Sequence, residues 1–524
     1  MMLLEANDVK ISVQDRLLVD VRMLGIYKND RIGLVGRNGS GKTSLLQVLA
    51  GKTEPEEGVV TIRATSELLP QLKHQDSVKS GGEVTQEYIN EVFTKNPAIL
   101  FADEPTTNLD TTHIEWVEKK LSVWKGALVI VSHDRAFLDA LCTTIWEIDE
   151  GRLSIYKGNY SDYVKQKEEQ KRQQEIAYEK YEKKKKQLEE AAKLKEKKAN
   201  RATKAPKSVS PSEAKITGAK PYFAKKQKKL QQTVKAMETR IDKLEKVEKV
   251  KEATPIKMNL PNEAVFKGRT IVRAVEVPGM IGRRVLWEPA SFHIRGGDKV
   301  AIIGPNGSGK TTLIKKMIHQ KEGITLSPSM KIGYFSQNLS ILDSQRTVLE
   351  NVSVTSKQDE TLIRTVLARL RFFRDDVHKP VGVLSGGERV KVALAKLFVS
   401  DINTLILDEP TNFLDTEAVE ALESLLIEYE GTVIFVSHDR QFIENVATRI
   451  LAIDEKKIEV FEGTFAEYKR QVQAQSRDTT EDQRLVIETK LSEVLSKLSL
   501  EPSEELEREF QKLLQEKRRL ENTT

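Results

Sequence analysis

The chain has 524 residues, of which 39% are hydrophobic and 31% are charged, with a formal net charge of +6 and a single cysteine, Cys142. This length exceeds what one domain usually holds, and one cysteine excludes an internal disulfide. No uninterrupted apolar run approaches the ~18 residues of a membrane helix, and the first residues lack the apolar core of a signal peptide. These features together favour a soluble, cytoplasmic protein.

The net charge is unevenly distributed along the chain. Residues 165–257 contain 29 Lys and Arg against 14 Asp and Glu, a net charge of +15, which leaves the rest of the chain at −9. A basic middle between acidic flanks indicates contact with a polyanion.

The first predicted functional element is a glycine-rich loop between a buried strand and a helix. Residues 36–43 are GRNGSGKT, and residues 304–311 repeat them as GPNGSGKT at an offset of 268. Apolar strand patterns at 31–36 and 299–304 precede the two loops, and helical patterns follow both. Strand, loop and helix in this order are the context that a phosphate-binding loop requires.

These loops predict two nucleotide sites with Mg²⁺. Their glycines let backbone N–H groups approach the phosphates at a helix N-terminus. Lys42 and Lys310 are expected to reach the β- and γ-phosphates, and Thr43 and Thr311 are expected to ligate Mg²⁺. The predicted nucleotide-binding residues of the loops are Gly36, Asn38, Gly39, Ser40, Gly41, Lys42, Thr43, Ser44, Gly304, Asn306, Gly307, Ser308, Gly309, Lys310, Thr311 and Thr312.

An acidic pair ends a further apolar strand in each copy. The pairs are Asp103-Glu104 and Asp408-Glu409, at an offset of 305. The two aspartates are predicted to support Mg²⁺ indirectly, because a carboxylate at a buried strand end needs a cationic partner. The two glutamates are predicted to position the water that attacks the γ-phosphate. The alternative, a helix-capping acid, is disfavoured because both copies place the pair identically.

A histidine follows the next apolar strand in each copy. His133 and His438 both lie within the sequence Ser-His-Asp-Arg, again 305 residues apart. A lone histidine at a strand end is more often structural, but the matched context favours contact with the γ-phosphate and the attacking water. Three consecutive residues do not form a protease triad, whose members meet only in space.

An SGGE sequence also occurs in both copies, at Ser80 and at Ser385. Eight residues separate Gln71 from this element in the first copy, whereas 47 residues separate Gln337 from it in the second. The first copy is therefore predicted to lack a helical insert that the second retains.

This combination of motifs resembles the ATP-binding cassette family. The resemblance implies an α/β fold with two P-loop cassettes in tandem, paired head to tail, that hydrolyse ATP with Mg²⁺. The glutamines would also ligate Mg²⁺. One implied site comprises Lys42, Gln71, Asp103, Glu104 and His133, closed by Ser385 and Gly387; the other comprises Lys310, Gln337, Asp408, Glu409 and His438, closed by Ser80 and Gly82.

Two features depart from the family pattern. Lys79 precedes the first signature where Leu384 precedes the second, which predicts different hydrolysis rates at the two sites. No aromatic residue occupies the usual adenine-stacking position before either P-loop, so a preference for ATP over GTP follows from the family and not from a residue.

The basic middle is predicted to be a helical hairpin. An apolar stripe from Leu230 to Leu244 steps by four and three residues, which is typical of packed helices. Two antiparallel helices of about 35 residues, each ~50 Å long, are expected to be joined by a tip at 200–222. The positive charge of this hairpin indicates binding in a groove of RNA through phosphate contacts. The alternative is that the hairpin is only a solvent-exposed spacer.

The predicted organisation has four parts. Residues 1–164 form a first cassette with a shortened helical subdomain, and 165–257 form the basic helical linker. Residues 258–470 form the second cassette. Residues 471–524 form a helical C-terminal extension, for which a flexible solubilising tail is the alternative.

Tandem cassettes with SGGE signatures and a charged helical linker resemble the F subgroup of the family, and within it the Vga-type antibiotic-resistance proteins. The resemblance implies docking in the E site of the bacterial 70S ribosome with ATP bound, as a monomer, through contacts with rRNA and P-site tRNA. The linker tip, 208–220, would displace lincosamides, pleuromutilins and group A streptogramins from the peptidyl-transferase centre, and hydrolysis would release the protein.

Three alternatives remain open at this point. The first is a housekeeping translation factor of the same subgroup. The second is the ATPase subunit of a membrane transporter, which would bind a permease and has no use for a basic hairpin. The third is a DNA-associated ATPase, although that class usually inserts its coiled coil within a cassette.

Overall fold

The structure is a computed structural model that describes most of the chain. It divides into two compact units, residues 1–155 with 255–524, and residues 156–254. The first unit contains both cassettes, so the predicted four-part division remains a prediction. The described residues are 1–13, 16–71, 81–107, 109–201, 219–244, 267–336, 339, 341–472, 474, 487, 489–491, 494–495, 498 and 504–521.

The described part of the first cassette is one mixed sheet with helices. Its strands run in the order β4-β1-β2-β9-β8-β3-β7-β6-β5. The strands are β1 Met2–Val13, β2 Arg16–Tyr27, β3 Arg31–Gly36, β4 Glu57–Ile62, β5 Ser66–Leu69, β6 Ile99–Asp103, β7 Ala127–Val131, β8 Thr144–Asp149 and β9 Arg152–Lys157, and the helices are α1 Lys42–Leu49, α2 Gly81–Lys95, α3 Thr111–Ser122 and α4 Arg135–Leu141.

The central strands of this sheet are parallel. Strand β3 pairs with β7 and β8, and β6 pairs with β5 and β7. All residues of β6 and β7 are buried, as expected for strands covered on both faces. Because the carboxyl ends of parallel strands meet at one edge, the glycine loop, the acidic pair and the histidine of this copy lie together.

The second compact unit contains two helices, α5 Tyr160–Arg201 and α6 Ala219–Asp242, which pack against each other. In sequence they lie between the two cassettes. Helix α5 has 42 residues, which corresponds to ~63 Å and exceeds the predicted length. Helix α6 begins at Ala219, inside the predicted tip. Pro221 lies in its first turn, where a proline's missing N–H is tolerated. The rest of the tip, 202–218, lies outside the described residues.

The second cassette repeats the plan in two sheets, in the orders β11-β10-β13 and β14-β15-β16-β12-β17-β18. Its strands are β10 Thr270–Ile281, β11 Arg284–Arg295, β12 Lys299–Ile303, β13 Ile324–Leu326, β14 Ile332–Phe335, β15 Thr404–Asp408, β16 Thr432–Val436, β17 Arg449–Asp454 and β18 Lys457–Glu462, and its helices are α7 Lys310–Ile318, α8 Val348–Ser353, α9 Glu360–Arg369, α10 Gly386–Val399, α11 Thr416–Glu428 and α12 Arg440–Val446.

The two copies differ in the segment before the signature helix. In the second cassette α8 and α9 lie between β14 and α10 and contribute to its hydrophobic core, with Val348, Val366 and Leu367 fully buried. In the first cassette only residues 70–80 lie between β5 and α2, too few for two such helices. The second cassette therefore has the helical insert that the sequence analysis predicts.

A C-terminal helix, α13 Glu504–Glu521, follows the second cassette. It lies within the predicted helical C-terminal extension, 471–524. Among the residues that the structure describes, none of the helices combines the length and the apolar character that a membrane span needs.

Candidate functional site

The glycine loops adopt backbone conformations that side chains would prevent. Gly41 and Gly309, which precede α1 and α7, have φ values of 97° and 102°. A Cβ on Gly41 would lie 2.8 Å from Val19 Cγ2, and a Cβ on Gly309 would lie 2.5 Å from Trp287 Cζ3. Only glycine fits both the left-handed conformation and the space.

The loop lysines fold back onto the loops that contain them. Lys42 Nζ donates to the carbonyl oxygens of Gly36 and Arg37 at 2.7 and 2.9 Å. Lys310 Nζ makes the corresponding two bonds at 2.9 and 3.0 Å. Burial lowers the pKa of both lysines. The ammonium groups are thus held at the start of the glycine loops, where an anionic phosphate would stabilise their charge.

Several buried polar atoms at the loops and acidic pairs have no hydrogen-bond partner among the described residues. They are the hydroxyls of Ser40 and Ser308 and the Oε1 atoms of Glu104 and Glu409. A buried donor or acceptor without a partner costs about 1–3 kcal/mol. Phosphate oxygens would satisfy the hydroxyls, and an attacking water would satisfy the carboxylates.

The hydroxyl and carboxylate pairs fit Mg²⁺. Thr311 Oγ1 donates to Asp408 Oδ1 at 3.2 Å, and Thr43 hydrogen-bonds the Asp103 carboxylate. Burial raises the pKa of both aspartates, so a nearby cation would stabilise their ionised forms. Mg²⁺ prefers such hard oxygen ligands and keeps waters and substrate phosphates as the remainder of its shell.

Each predicted glutamate lies beside its predicted histidine. His133 Nε2 is 3.4 Å from Glu104 Oε1, and His438 Nε2 is 3.2 Å from Glu409 Oε1. Both glutamates have left-handed backbones, with φ values of 51° and 52°. Such strain costs about 1–3 kcal/mol and persists only where the surroundings impose it. The same backbone conformation occurs in both copies, and it places each glutamate next to its histidine.

Burial shifts the pKa values of these groups in opposite directions. It raises the pKa of Glu104 to about 8 and that of Glu409 to about 7, and it lowers the pKa of both His133 and His438 to about 3. The imidazoles are therefore neutral at pH 7, whereas the glutamates ionise near that pH. An ionised glutamate can orient a water, and the neutral ring can hydrogen-bond a phosphate oxygen.

We expect ATP hydrolysis to increase as the pH rises from 6 to 9. A raised carboxyl pKa means that protonation removes the active, ionised form as the pH falls through that value. Because burial raises the carboxyl pKa at both sites, single-turnover hydrolysis by the Glu409→Gln variant and by the Glu104→Gln variant should each rise with pH across the neutral range. A flat profile between pH 5.5 and 9 in both variants would contradict this assignment.

The two cassettes contact each other at the glycine loops in a reciprocal pattern. The backbone N–H of Asn38 donates to Asp415 Oδ2 at 3.1 Å, and the backbone N–H of Asn306 donates to Asp110 Oδ2 at 2.8 Å. The donors are 268 residues apart and the acceptors 305, the two offsets of the repeat. Each loop is therefore covered by the other cassette, as a head-to-tail pair requires.

The signature of the second cassette lies against the first glycine loop. Asn38 Nδ2 donates to the Phe413 carbonyl oxygen at 2.9 Å. Gly387 lies in this contact, since a Cβ there would be 2.7 Å from the same oxygen and 3.5 Å from Asn38 Nδ2. The neighbouring Gly386 faces open space.

Gly387→Ala should therefore lower ATP hydrolysis at the site of Lys42 by about tenfold, because a 1 Å displacement of a closing contact is costly. Gly386→Ala is the matched control and should keep nearly normal activity. The measurement is single-turnover hydrolysis in a Glu409→Gln background, in which only this site is expected to turn over. Equal activities of the two alanine variants would refute the expectation.

Two ion pairs, one buried and one partly buried, join the cassettes away from the loops. Arg135 donates to both carboxylate oxygens of Glu423, and Arg440 donates to Glu118 at 3.1 Å. The two pairs are related by the 305-residue offset. The first is more buried, with both side chains 8% exposed, against 15% and 26% in the second. These residues were not predicted as site residues, although their matched spacing was visible in the repeat.

The two sites also differ. Arg37 pairs with Glu417 at 3.1 Å, and Arg371 pairs with the same carboxylate oxygen. The corresponding positions at the other site are Pro305 and Thr112, which cannot form an ion pair. The first site therefore has an ion pair between the cassettes that has no counterpart at the matching positions of the second. Different hydrolysis rates at the two sites remain a prediction.

A cavity of about 850 Å³ lies between the cassettes. It is lined by most of the first site and by part of the second, whose Lys310, Thr311 and Asp408 are not among the lining residues. Gln337 and Ser80 lie outside the described residues, and for Gly82 only its place in α2 is described. Ser385 does not line the cavity. Its hydroxyl accepts from the Glu388 backbone N–H at the start of α10 and donates to the Glu388 carboxylate. The predicted residues that line the cavity are Asn38, Gly39, Gly41, Lys42, Thr43, Ser44, Gln71, Asp103, Glu104, His133, Asn306, Gly307, Gly387, Glu409 and His438.

The fold and the reciprocal loop contacts define an ATPase with two ATP-binding cassettes in tandem. Two family models described as ABC transporter match the chain, one at residues 20–78 and 287–412 and the other at 146–211. An erythromycin resistance ATP-binding protein, MsrA of Staphylococcus epidermidis, is 33% identical over 482 residues, which are 85% of this chain and 97% of that protein. The chain belongs to the F family of ATP-binding cassette proteins.

Two further similarities extend over most of the chain. The ribosome protection protein VmlR of Bacillus subtilis is 30% identical over 525 residues, which cover 94% of this chain and 93% of that protein. A crystal structure of the archaeal ribosome recycling factor aABCE1 in complex with the stalk protein aP1 matches with a TM-score of 0.59 at 18% identity, covering 89% and 92% of the two chains. The latter likeness supports the tandem-cassette fold.

Proposed function

We propose that this protein is a ribosome-binding ATPase that counters antibiotics bound at the peptidyl-transferase centre. The observation that supports ATP-controlled docking is the reciprocal contact of each glycine loop with an aspartate of the other cassette. ATP bound at such a junction stabilises the closed pair and thereby shifts the population towards it.

The protein's own residues would perform the cycle as follows. Lys42 and Lys310 bind the phosphates, and the second cassette's Gly387 closes the first site. Mg²⁺, held at the hydroxyl and carboxylate pairs, would stabilise charge on the phosphates. Glu104 and Glu409 orient the attacking water, each next to a neutral imidazole. Loss of the γ-phosphate removes contacts that hold the cassettes together, so opening follows hydrolysis.

The ribosome is proposed as the partner on two grounds. The name of VmlR describes ribosome protection and that of MsrA describes erythromycin resistance, and both relatives align with nearly their full length. The helical unit of α5 and α6 belongs to the strongly basic segment, which suits rRNA. Docking in the E site, contact with P-site tRNA, a monomeric state and a cytoplasmic location are parts of the same proposal.

The partner is tested by co-sedimentation of the Glu104→Gln, Glu409→Gln variant with bacterial 70S ribosomes. We expect pelleting with ATP and little pelleting with ADP, because only ATP favours the closed form. Lys42→Ala, Lys310→Ala should not pellet in either nucleotide. Equal pelleting of all samples, or none, would reject ATP-controlled ribosome binding.

The drug target is tested by a susceptibility panel with a linker variant in which 208–217 are replaced by Gly and Ser. The wild-type chain should raise resistance to lincosamides, pleuromutilins or group A streptogramins, and erythromycin belongs in the panel because of MsrA. The linker variant should lose resistance but retain ATP-dependent pelleting. Ribosome binding without any resistance would favour a housekeeping translation factor.

A further inference from the structure

The outer face of the antiparallel sheet in the second cassette contains a shallow depression of about 850 Å³. Arg273 on β10 is opposite His293 on β11, and Thr325 on β13 is opposite Arg273 on its other side. Cross-strand partners point to the same face of a sheet. These three side chains and Ser291 therefore line one polar surface.

This surface concentrates positive charge. Arg295 lies two residues beyond His293 on the same strand face, and Arg269 lies just before β10; we call Arg269, Arg273, His293 and Arg295 the arginine face. In the part of the chain that the structure describes, none of its three arginines has an ion-pair partner. The three guanidinium groups are therefore available to an anionic ligand.

The first cassette provides an internal comparison. Its β1, β2 and β4 pair in the same manner, with Glu5 opposite Gly25 and Thr61. There Glu5 accepts from Arg63 at 2.8 Å and is neutralised. The fold itself thus does not require positive charge at this face. At the offset of 268, the positions of the arginine face correspond to Met1, Glu5, Gly25 and Tyr27.

We propose that the arginine face binds the phosphate backbone of a folded RNA. Guanidinium groups pair with phosphates in a bidentate manner, and a hydroxyl such as that of Thr325 is a common phosphate donor. The Ser291 hydroxyl already donates to Glu276 Oε1 at 3.3 Å. This inference rests on the proposed ribosome binding and extends it, because it assigns a second contact outside the basic helical unit.

The first test replaces two arginines of the arginine face by the residues at the corresponding positions of the first cassette. The Arg273→Glu, Arg295→Tyr variant introduces the residues that the same strand pairing already holds in the first cassette, so folding should be preserved. Its matched control, Lys10→Glu, Arg63→Gln, removes the same amount of charge from the first sheet. Both are measured for ATP hydrolysis and, in the Glu104→Gln, Glu409→Gln background, for ribosome affinity at several salt concentrations.

We expect the exchange to weaken ribosome binding by about tenfold and to reduce the slope of log affinity against log salt by about two, since each lost phosphate contact lowers that slope by about one. Basal ATP hydrolysis should be unchanged. The control should have little effect. Equal affinities and slopes for the exchange and the control would overturn the proposal.

The second test identifies what the face touches and remains decisive if ribosome pelleting fails. A photo-crosslinking residue is placed at Val275, which lines the depression and is 52% exposed, and at its counterpart Asn7 as the control. The full chain is irradiated with 70S ribosomes and with a 20-base-pair RNA hairpin. Crosslinks from 275 to RNA, exceeding those from 7, are expected with both probes. RNase-resistant crosslinks to a ribosomal protein, or equal yields at both positions, would overturn an RNA ligand.

Discussion

Replacing both Glu104 and Glu409 by glutamine is expected to lower the rate of ATP hydrolysis by at least ~100-fold, the contribution of a positioned carboxylate to proton transfer. Glutamine keeps the shape of glutamate but cannot accept a proton from water. ATP binding should survive, because the phosphate contacts belong to the glycine loops. The variant should therefore accumulate in the closed state.

This expectation is checked by steady-state hydrolysis together with binding of a fluorescent ATP analogue. The matched control is Glu150→Gln, Glu455→Gln, an exposed pair that has the same 305-residue offset and the same left-handed backbone, with φ values of 47° and 43°. The control should retain full turnover. Residual hydrolysis within fivefold of the wild type in the Glu104, Glu409 variant would remove both residues from the proposed chemistry.

Arg135→Ala is expected to destabilise the closed form by about 3–5 kcal/mol, because it leaves the Glu423 carboxylate buried without its cation. Asn445 Nδ2 also donates to Glu423, at 3.0 Å, but one neutral donor does not replace a bidentate guanidinium. When the cassettes separate, Glu423 can be hydrated. The loss should therefore appear mainly as cassette opening and as reduced hydrolysis at both sites.

The measurements are ATP hydrolysis and the ATP-dependent shift of the denaturation midpoint. Arg440→Ala is the internal control and should have the smaller effect, because its pair with Glu118 is more exposed and exposed pairs contribute only about 0–1 kcal/mol. A second variant, Arg135→Met, Glu423→Leu, should recover much of the loss, since apolar replacement of a buried pair is often nearly neutral. A loss in Arg135→Ala no greater than in Arg440→Ala would contradict the assignment.

Much of the fold follows from local patterns in the sequence. The predicted strands at 31–36 and 299–304 differ from β3 and β12 by no more than one residue, because short apolar runs bounded by turn residues have few alternatives. The tandem-cassette fold and ATPase class are confirmed. The roles of individual site residues remain predictions, although the structure brings Lys42 and Glu104 to the same cavity.

The contacts between the cassettes could not be predicted with the same detail. The family resemblance implies Gly387 as a closing residue, but it does not indicate that Phe413 adopts a left-handed backbone, with φ of 67°, and presents its carbonyl to Asn38. The same holds for Arg135 and Glu423. Their pairing depends on how two surfaces meet, and hydrophobic periodicity contains no information about that geometry.

Each ATP site draws its two halves from cassettes on one polypeptide, so closure is an intramolecular equilibrium. A covalent connection makes the meeting of two domains an intramolecular event with an effective concentration of its own, which ordinary dilution does not change. The fraction of closed molecules should therefore be independent of protein concentration, and an excess of separately produced second cassette should compete poorly for the first. A cell would need only one copy of such a chain to assemble both sites, without matching the synthesis of two subunits.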